Sequence, residues 1–274
     1  MDKHRRRWLG IASVLLVGGW ITACSSRSGM AMSKYPPEDF FDGRHIEVAR
    51  AMDAGDMARV RALSAGLAID AVGRKDKTLL WYAIQSKNYP AVSTMIQLGS
   101  KPDEQIAQGI GSALDAAVYS KDTRLLQAML DGGLSPDHRS PKHKQMLQRA
   151  TGPGGSIEHV RLLVDRGANL NMKDSVGGTA LTEAISTLKP DIALYLVERG
   201  ADIGTFTVNG VSVPWSVQGT INRQQPGPLR TKFEQLRDLM IQKGAKFPPD
   251  PPEVVRERMR AQGLKPAVPP GHTK

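Results

Sequence analysis

The chain has 274 residues, of which 40% are hydrophobic and 23% charged, and its 37 Lys and Arg against 27 Asp and Glu give a formal net charge of +10. With one cysteine, Cys24, no disulfide can form within the chain, so stability has to come from packing. The apolar run at residues 8–20 is too short for a helix across a bilayer of about 30 Å, which needs roughly 20 residues.

In chain order, the first element is a targeting segment. Lys3, Arg5, Arg6 and Arg7 form a positive start, Trp8 to Trp20 an apolar middle, and Ile21-Thr22-Ala23-Cys24 a small-residue end. The tetrapeptide resembles the lipobox of bacterial lipoproteins. That resemblance implies removal of residues 1–23, attachment of diacylglycerol and a further acyl chain such as palmitate at Cys24, and anchoring by several chains together. Ser25, rather than Asp, after the cysteine implies the outer membrane and a chain facing the periplasm. Residues 24–40 then read as a lipidated tether. Residues 1–23 hold four cations against Asp2, a net of +3, so the mature chain keeps +7 of the formal +10. In a compartment without nucleic acid, that surplus points to an acidic protein surface or anionic lipid head groups.

Residues 41–248 carry an internal repeat. An apolar residue, two variable residues and a glycine recur at Gly66, Gly99, Gly133, Gly167, Gly200 and Gly244, spaced 33, 34, 34, 33 and 44 apart. A Thr or Ser stands at one fixed distance before three of these glycines, Thr78 before Gly99, Ser112 before Gly133 and Thr179 before Gly200, each opening an apolar helix. In the last unit the stretch from the equivalent Ser212 to Gly244 is longer, and the surplus is expected as an inserted loop over Gln218 to Pro228. Each unit reads as two helices and a turn, the glycine closing the second helix in the left-handed conformation. The first unit, around Ile46, Val48, Ala49, Met52, Val60 and Leu63, is irregular and reads as a cap. Residues 249–274 are a Pro-rich tail with a short helix over 253–262 that displays Arg256, Arg258 and Arg260.

Asp174-Ser175-Val176-Gly177-Gly178-Thr179-Ala180-Leu181, with Arg166-Gly167-Ala168-Asn169 and Arg199-Gly200-Ala201-Asp202, resembles the ankyrin repeat family. The resemblance implies an all-α solenoid of about six helix-turn-helix units with short hairpin connections, binding a protein through turn tips and the exposed end of each first helix. Carried over by position, the contact residues are Arg74, Lys75, Lys77, Gln85 and Ser86 in the second unit, Tyr119 in the third, and Ser175, Val176, Ser186 and Thr187 in the fifth. The first three are cationic and suit an acidic partner. The family's Pro and His at the helix opening are absent here: Leu79, Ala113, Ala180 and Val213 replace the first, Trp81, Asp115, Thr182 and Trp215 the second. Trp81 and Tyr82 stand between core and binding face, and both roles are open at this level.

No catalytic, metal or cofactor pattern competes with this reading. His138 and His143 sit in a basic loop with Arg139, Lys142 and Lys144; Gly210-Val211-Ser212-Val213-Pro214 lacks the last glycine of a nucleophile elbow. Gly152-Pro153-Gly154-Gly155-Ser156 has no following Gly-Lys-Ser/Thr and reads as the turn before a helix opened by Ser156. The expected whole is a monomeric, non-enzymatic lipoprotein that binds another protein at the outer membrane. By analogy, its most specific form is an immunity protein that neutralises a secreted antibacterial effector such as a lipase; the alternative is a scaffold or accessory protein for an envelope enzyme or assembly.

Overall fold

The computed structural model describes residues 35–107, 111–139 and 145–268. The expected targeting segment, Cys24 and the expected tether up to residue 34 lie outside the described residues. Six helix pairs follow one another: α1 (Gly43–Asp53) with α2 (Met57–Ser64), α3 (Leu79–Gln85) with α4 (Tyr89–Gln97), α5 (Ala113–Tyr119) with α6 (Arg124–Asp131), α7 (Met146–Thr151) with α8 (Ile157–Asp165), α9 (Ala180–Ser186) with α10 (Pro190–Glu198), and α11 (Val213–Arg223) with α12 (Pro228–Gln242). A final helix, α13 (Pro252–Ala261), ends the array. The first helices pack in consecutive pairs from α1 to α11, and the second helices do so from α2 to α6 and from α8 to α12. Strand structure among the described residues is limited to the ribbon β1 (Gln105–Ala107) and β2 (Gly111–Ser112), paired antiparallel ahead of α5, and an isolated bridge between Phe206 and Ser212.

Local chemistry sets the helix ends. Thr78, Ser112, Thr179 and Ser212 each accept the backbone N–H three residues on, from Trp81 (3.1 Å), Asp115 (3.0 Å), Thr182 (3.4 Å) and Trp215 (3.3 Å). Each such cap satisfies a donor the helix cannot, worth about 1 kcal/mol. Asp56, Asn88 and Ser156 open the second helices of their units in the same way. The six repeat glycines have φ between 67° and 94°, a region where a β-carbon is costly. Ala83, Ala117, Ala150 and Ala184, one per unit, have no exposed surface, and their small side chains let neighbouring helices approach closely. Leu79, Leu80, Leu114, Leu126, Leu163, Leu181 and Leu196 fill the space between, each worth about 1.5–3 kcal/mol of burial.

The units are also tied along one edge by a polar ladder. Four residues after each of four repeat glycines stand Asp70, Asp103, Asp137 and Asn171. Asp70 accepts Lys101 N (3.2 Å), Asp137 accepts Asn169 N (2.7 Å) and Asn171 accepts Asp202 N (2.7 Å). Asp103 departs from the pattern and pairs with the His138 ring. On the outer edge, Arg166 reaches Asp131 (2.8 Å) and Arg199 reaches Asp165 (3.4 Å), each joining one unit to its predecessor.

Both ends of the array are closed by elements specific to them. At the start, Phe40 and Phe41 precede α1 and stack on the second unit: Phe40 lies 5.1 Å from Trp81 and Phe41 5.8 Å from Tyr82 between ring centroids. Trp81 and Tyr82 are buried, and the Tyr82 hydroxyl lies 2.6 Å from Asp53 Oδ2, so core packing is their role. At the far end the expected loop over Gln218 to Pro228 is largely helix. α11 has 11 residues against seven in α9, α12 has 15 against nine in α10, and the connection 224–227 takes one residue more than 187–189, which absorbs the whole insertion. Val217 and Ile221 drive the extension, burying a further turn of α11 beside Phe233, Leu236 and Met240. The tail helix is also not a free arm. Val255, Arg256 and Met259 are buried, and the Arg256 guanidinium donates to Asn209 O (3.1 Å), so only Arg258 and Arg260 of the expected trio are displayed. Further on, Ala267 N donates to Val208 O (2.8 Å).

Candidate protein-binding face

The turn tips and the ends of the first helices are where the stack leaves side chains free, and they hold the residues expected from sequence. Those residues do not form one surface of one character. Arg74 donates to Phe41 O (2.5 Å) and pairs with Asp42 (2.7 Å), and its backbone N–H donates to Phe40 O (2.6 Å). Lys75 lies 3.8 Å from Asp39 with its Nζ 5.0 Å from the Phe40 ring centre, while Lys77 Nζ sits 4.8 Å from that of Trp81. Arg74 and Lys75 therefore fasten the segment before α1 onto the second unit, with Asp42 and Asp39 offsetting part of their charge, while Lys77 lies over a ring of its own unit. Gln85 and Ser86 are half-buried at the end of α3. Ser186 and Thr187 turn back on their own helix, Ser186 donating to Thr182 O (2.6 Å) and Thr187 to Glu183 O (2.8 Å).

Three units in the middle present a different picture. Tyr119, at the end of α5, is 47% exposed, and Val176, at the turn tip before α9, is 53% exposed. Ser175 beside it is exposed too. They are joined by a polar row that sequence reading did not single out. Asp115 and Arg149 stand one repeat apart, at the register of Trp81, and form an ion pair; the Arg149 guanidinium lies 5.5 Å from the Tyr119 ring centre. Beside Arg149, the Gln148 amide donates to Gly178 O (2.7 Å) and Asp174 Oδ2 (3.3 Å), holding the turn whose tip is Val176. Asp174 shapes that turn by accepting the N–H groups of Val176 (3.0 Å) and Gly178 (2.7 Å). Val208 N then donates to Val176 O (2.9 Å), carrying the edge into the sixth unit, where Trp215 at the same register is 37% exposed. Counting back from Gly167 by the distance that separates Thr78 from Gly99 would have located this row, but Met146 stands there and offers no cap signal.

Among the described residues no group of three or more His, Cys, Asp or Glu is placed to hold a metal ion. Ser212 serves as a helix cap, and the buried His159 lies 2.9 Å through Nδ1 from the Ser156 hydroxyl, its pKa pushed down by burial. No helix among the described residues is long and apolar enough to cross a membrane.

The sequence and fold are similar to known proteins at several levels. Residues 114–207 match the family model for ankyrin repeats in three copies. Protein phosphatase 1 regulatory subunit 27 of Homo sapiens is 48% identical over 48 residues, which is 18% of this chain and 31% of that protein, so the chain spans about a third of this relative's length. Protein PhlB of Serratia liquefaciens is 28% identical over 183 residues, covering 65% of this chain and 78% of that one. Among solved structures, the ankyrin repeat domain of Bcl-3 aligns with a TM-score of 0.53 at 22% identity, over 76% of this chain and 92% of that one. An ankyrin repeat domain from Acinetobacter baumannii aligns with a TM-score of 0.51 at 22% identity, over 73% and 98%. Repeats of this kind are typically protein-interaction modules rather than enzymes. The chain contains ankyrin repeats, and its helix pairs are stacked in the ankyrin-repeat fold.

Proposed function

We propose that this is a lipid-anchored interaction protein of the outer membrane, facing the periplasm, and that its repeat face neutralises a secreted antibacterial effector of the lipase class. The observation that carries the reading is the row of Tyr119, Val176 and Trp215, three of the nine large apolar side chains exposed among the described residues, brought onto one edge of the stack by the polar row between them. Tyr and Trp are the residues most often found at the energetic centre of protein interfaces, and repeat arrays hold them on rigid elements. The anchor is supported by the Ile-Thr-Ala-Cys tetrapeptide ending at Cys24, which lies outside the described residues. Holding an inhibitor at the membrane raises its local concentration where an effector that attacks lipids must act. The basic surplus favours an acidic partner surface, through cations other than the three already engaged at the second unit.

A competition assay tests the proposal. Deletion cells, cells with Val176→Asp and Trp215→Ala, and wild-type cells are each grown against an effector-delivering sibling, with fatty-acid labelling of the wild type and Cys24→Ser in parallel. Deletion and face variants should both be killed while the variant protein stays at normal level, and label should be lost only in Cys24→Ser. Survival of the deletion strain would remove the immunity role, and label on the serine variant would remove the anchor.

A further inference from the structure

The last repeat glycine is the only one of the six flanked by cations on both sides. Lys243 precedes Gly244 and Lys246 follows two residues later, whereas the equivalent pairs elsewhere are Ala65 and Ala68, Leu98 and Lys101, Gly132 and Ser135, Arg166 and Asn169, and Arg199 and Asp202. Beside this turn opens a cleft of about 290 Å³, walled on one side by the strand-like segment at Phe206 and on the other by α13 through Val255 and Arg258. Arg258 and Lys246 share one carboxylate, Asp250, at 2.6 and 3.0 Å. That carboxyl is held below its usual range, first by the Arg258 hydrogen bond and then by Lys246, so it stays ionised and fixes both cations in place. The Lys243 ammonium has no hydrogen-bond or ion-pair partner among the described residues. Three cations facing one anion leave the cleft two positive charges in surplus, beside the apolar surface of Phe206 and Val255.

We propose that this cleft binds a phosphate-bearing ligand: the phosphate is taken by Lys243 with the outward N–H groups of Lys246 and Arg258, and its organic part rests on Phe206 and Val255. The phosphate can come from a phospholipid head group or from a soluble phosphate ester. The cleft has none of Tyr119, Val176 and Trp215 in its lining, and its binding of phosphate does not depend on the role assigned to that face.

Titration calorimetry of the full-length protein with sn-glycerol 3-phosphate, and co-sedimentation with phosphatidylcholine vesicles with and without phosphatidylglycerol, read the two sources. A lipid anchor contributes equally to both vesicle types, so the increment due to phosphatidylglycerol reports attraction to the anionic head group, and its loss in Lys243→Ala assigns it to the cleft. Lys243→Ala should weaken binding roughly tenfold, the scale of one charge-assisted hydrogen bond. Lys232→Ala, a cation of α12 paired with Asp191 outside the cleft, should leave binding unchanged. Binding to glycerol phosphate alone assigns the soluble ester, and binding to the anionic vesicles assigns the head group. No binding to either probe overturns the proposal, as does an equal loss in Lys232→Ala, which would mean attraction to diffuse charge.

Discussion

Gly132 offers a test in which local preference and packing predict opposite signs. It lies just before the left-handed Gly133, at the end of α6, with φ −76° and ψ −1°, a right-handed conformation open to any residue. Helix propensity alone makes Gly132→Ala favourable by about 0.5–1 kcal/mol. A β-carbon there, however, would stand 2.6 Å from Ser93 O and 2.8 Å from Ile96 Cβ, both on α4. Neither atom is the far end of a flexible side chain, so α4 and α6 must separate by several tenths of an ångström along their contact. Overpacking of this kind costs about 1–3 kcal/mol, which exceeds the propensity gain and leaves a net loss of about 1–2 kcal/mol. For an array of this size that is a fall of roughly 2–8 °C in melting temperature. Gly133→Asn provides the contrast. At φ 93° and with nothing within 4 Å of an added β-carbon, its cost is conformational only, and Asn tolerates the left-handed region better than other non-glycine residues. Thermal melting followed by circular dichroism should rank the wild type first, Gly133→Asn next and Gly132→Ala last. A Gly132→Ala protein that melts at or above the wild type would refute the close approach of α4 and α6.

The other predictions address the ends, the middle and the pH response. Arg74→Glu should destabilise the array by about 1 kcal/mol and expose residues 35–42 to limited proteolysis, since it loses Asp42 and places two carboxylates side by side; Asp42→Arg in the same chain should restore protection. Asp115→Asn should cost close to the lower end of about 3–5 kcal/mol, because Arg149 is 4% exposed and would be left unpaired, whereas Asp115→Leu with Arg149→Met should recover most of the loss in urea unfolding. For His159, burial lowers the folded pKa, partly offset by the Ala117 backbone, Glu158 and Asp122, so the unfolded chain binds the proton more readily. Stability should therefore fall as the pH drops below about 6.5 toward the lowered folded value, and His159→Leu should flatten that part of the curve; an unchanged slope in the variant would exclude this histidine as the cause.

The parts of the fold legible in sequence are those that depend on nearby residues or on the same position one repeat away. Thr78, Ser112, Thr179 and Ser212 could be read as caps because a cap bonds three residues ahead, and the left-handed glycines because each ends its own helix. Periodicity fails where a contact joins positions that are not equivalent. Arg74 and Lys75 count as part of a positive tip until Asp42 and Asp39, which precede the first helix pair, are brought against them. Gln218 to Pro228 looks like a loop by composition, yet Val217 and Ile221 have the four-residue spacing of a helix face and α12 to pack on. Arg256 looks like a displayed cation, but Gly210 lets the chain pass so close that an added β-carbon would lie 2.8 Å from the Arg256 side chain and 2.6 Å from Pro252 O. All of these involve segments near one end of the array, where a repeat lacks a neighbour on one side and a segment outside the period must cover the open face. Interior units keep the period in their helix pairs and repeat glycines because their neighbours are copies of themselves, with local departures at Asp103 and Met146, and the ends depart further because their neighbours are not copies.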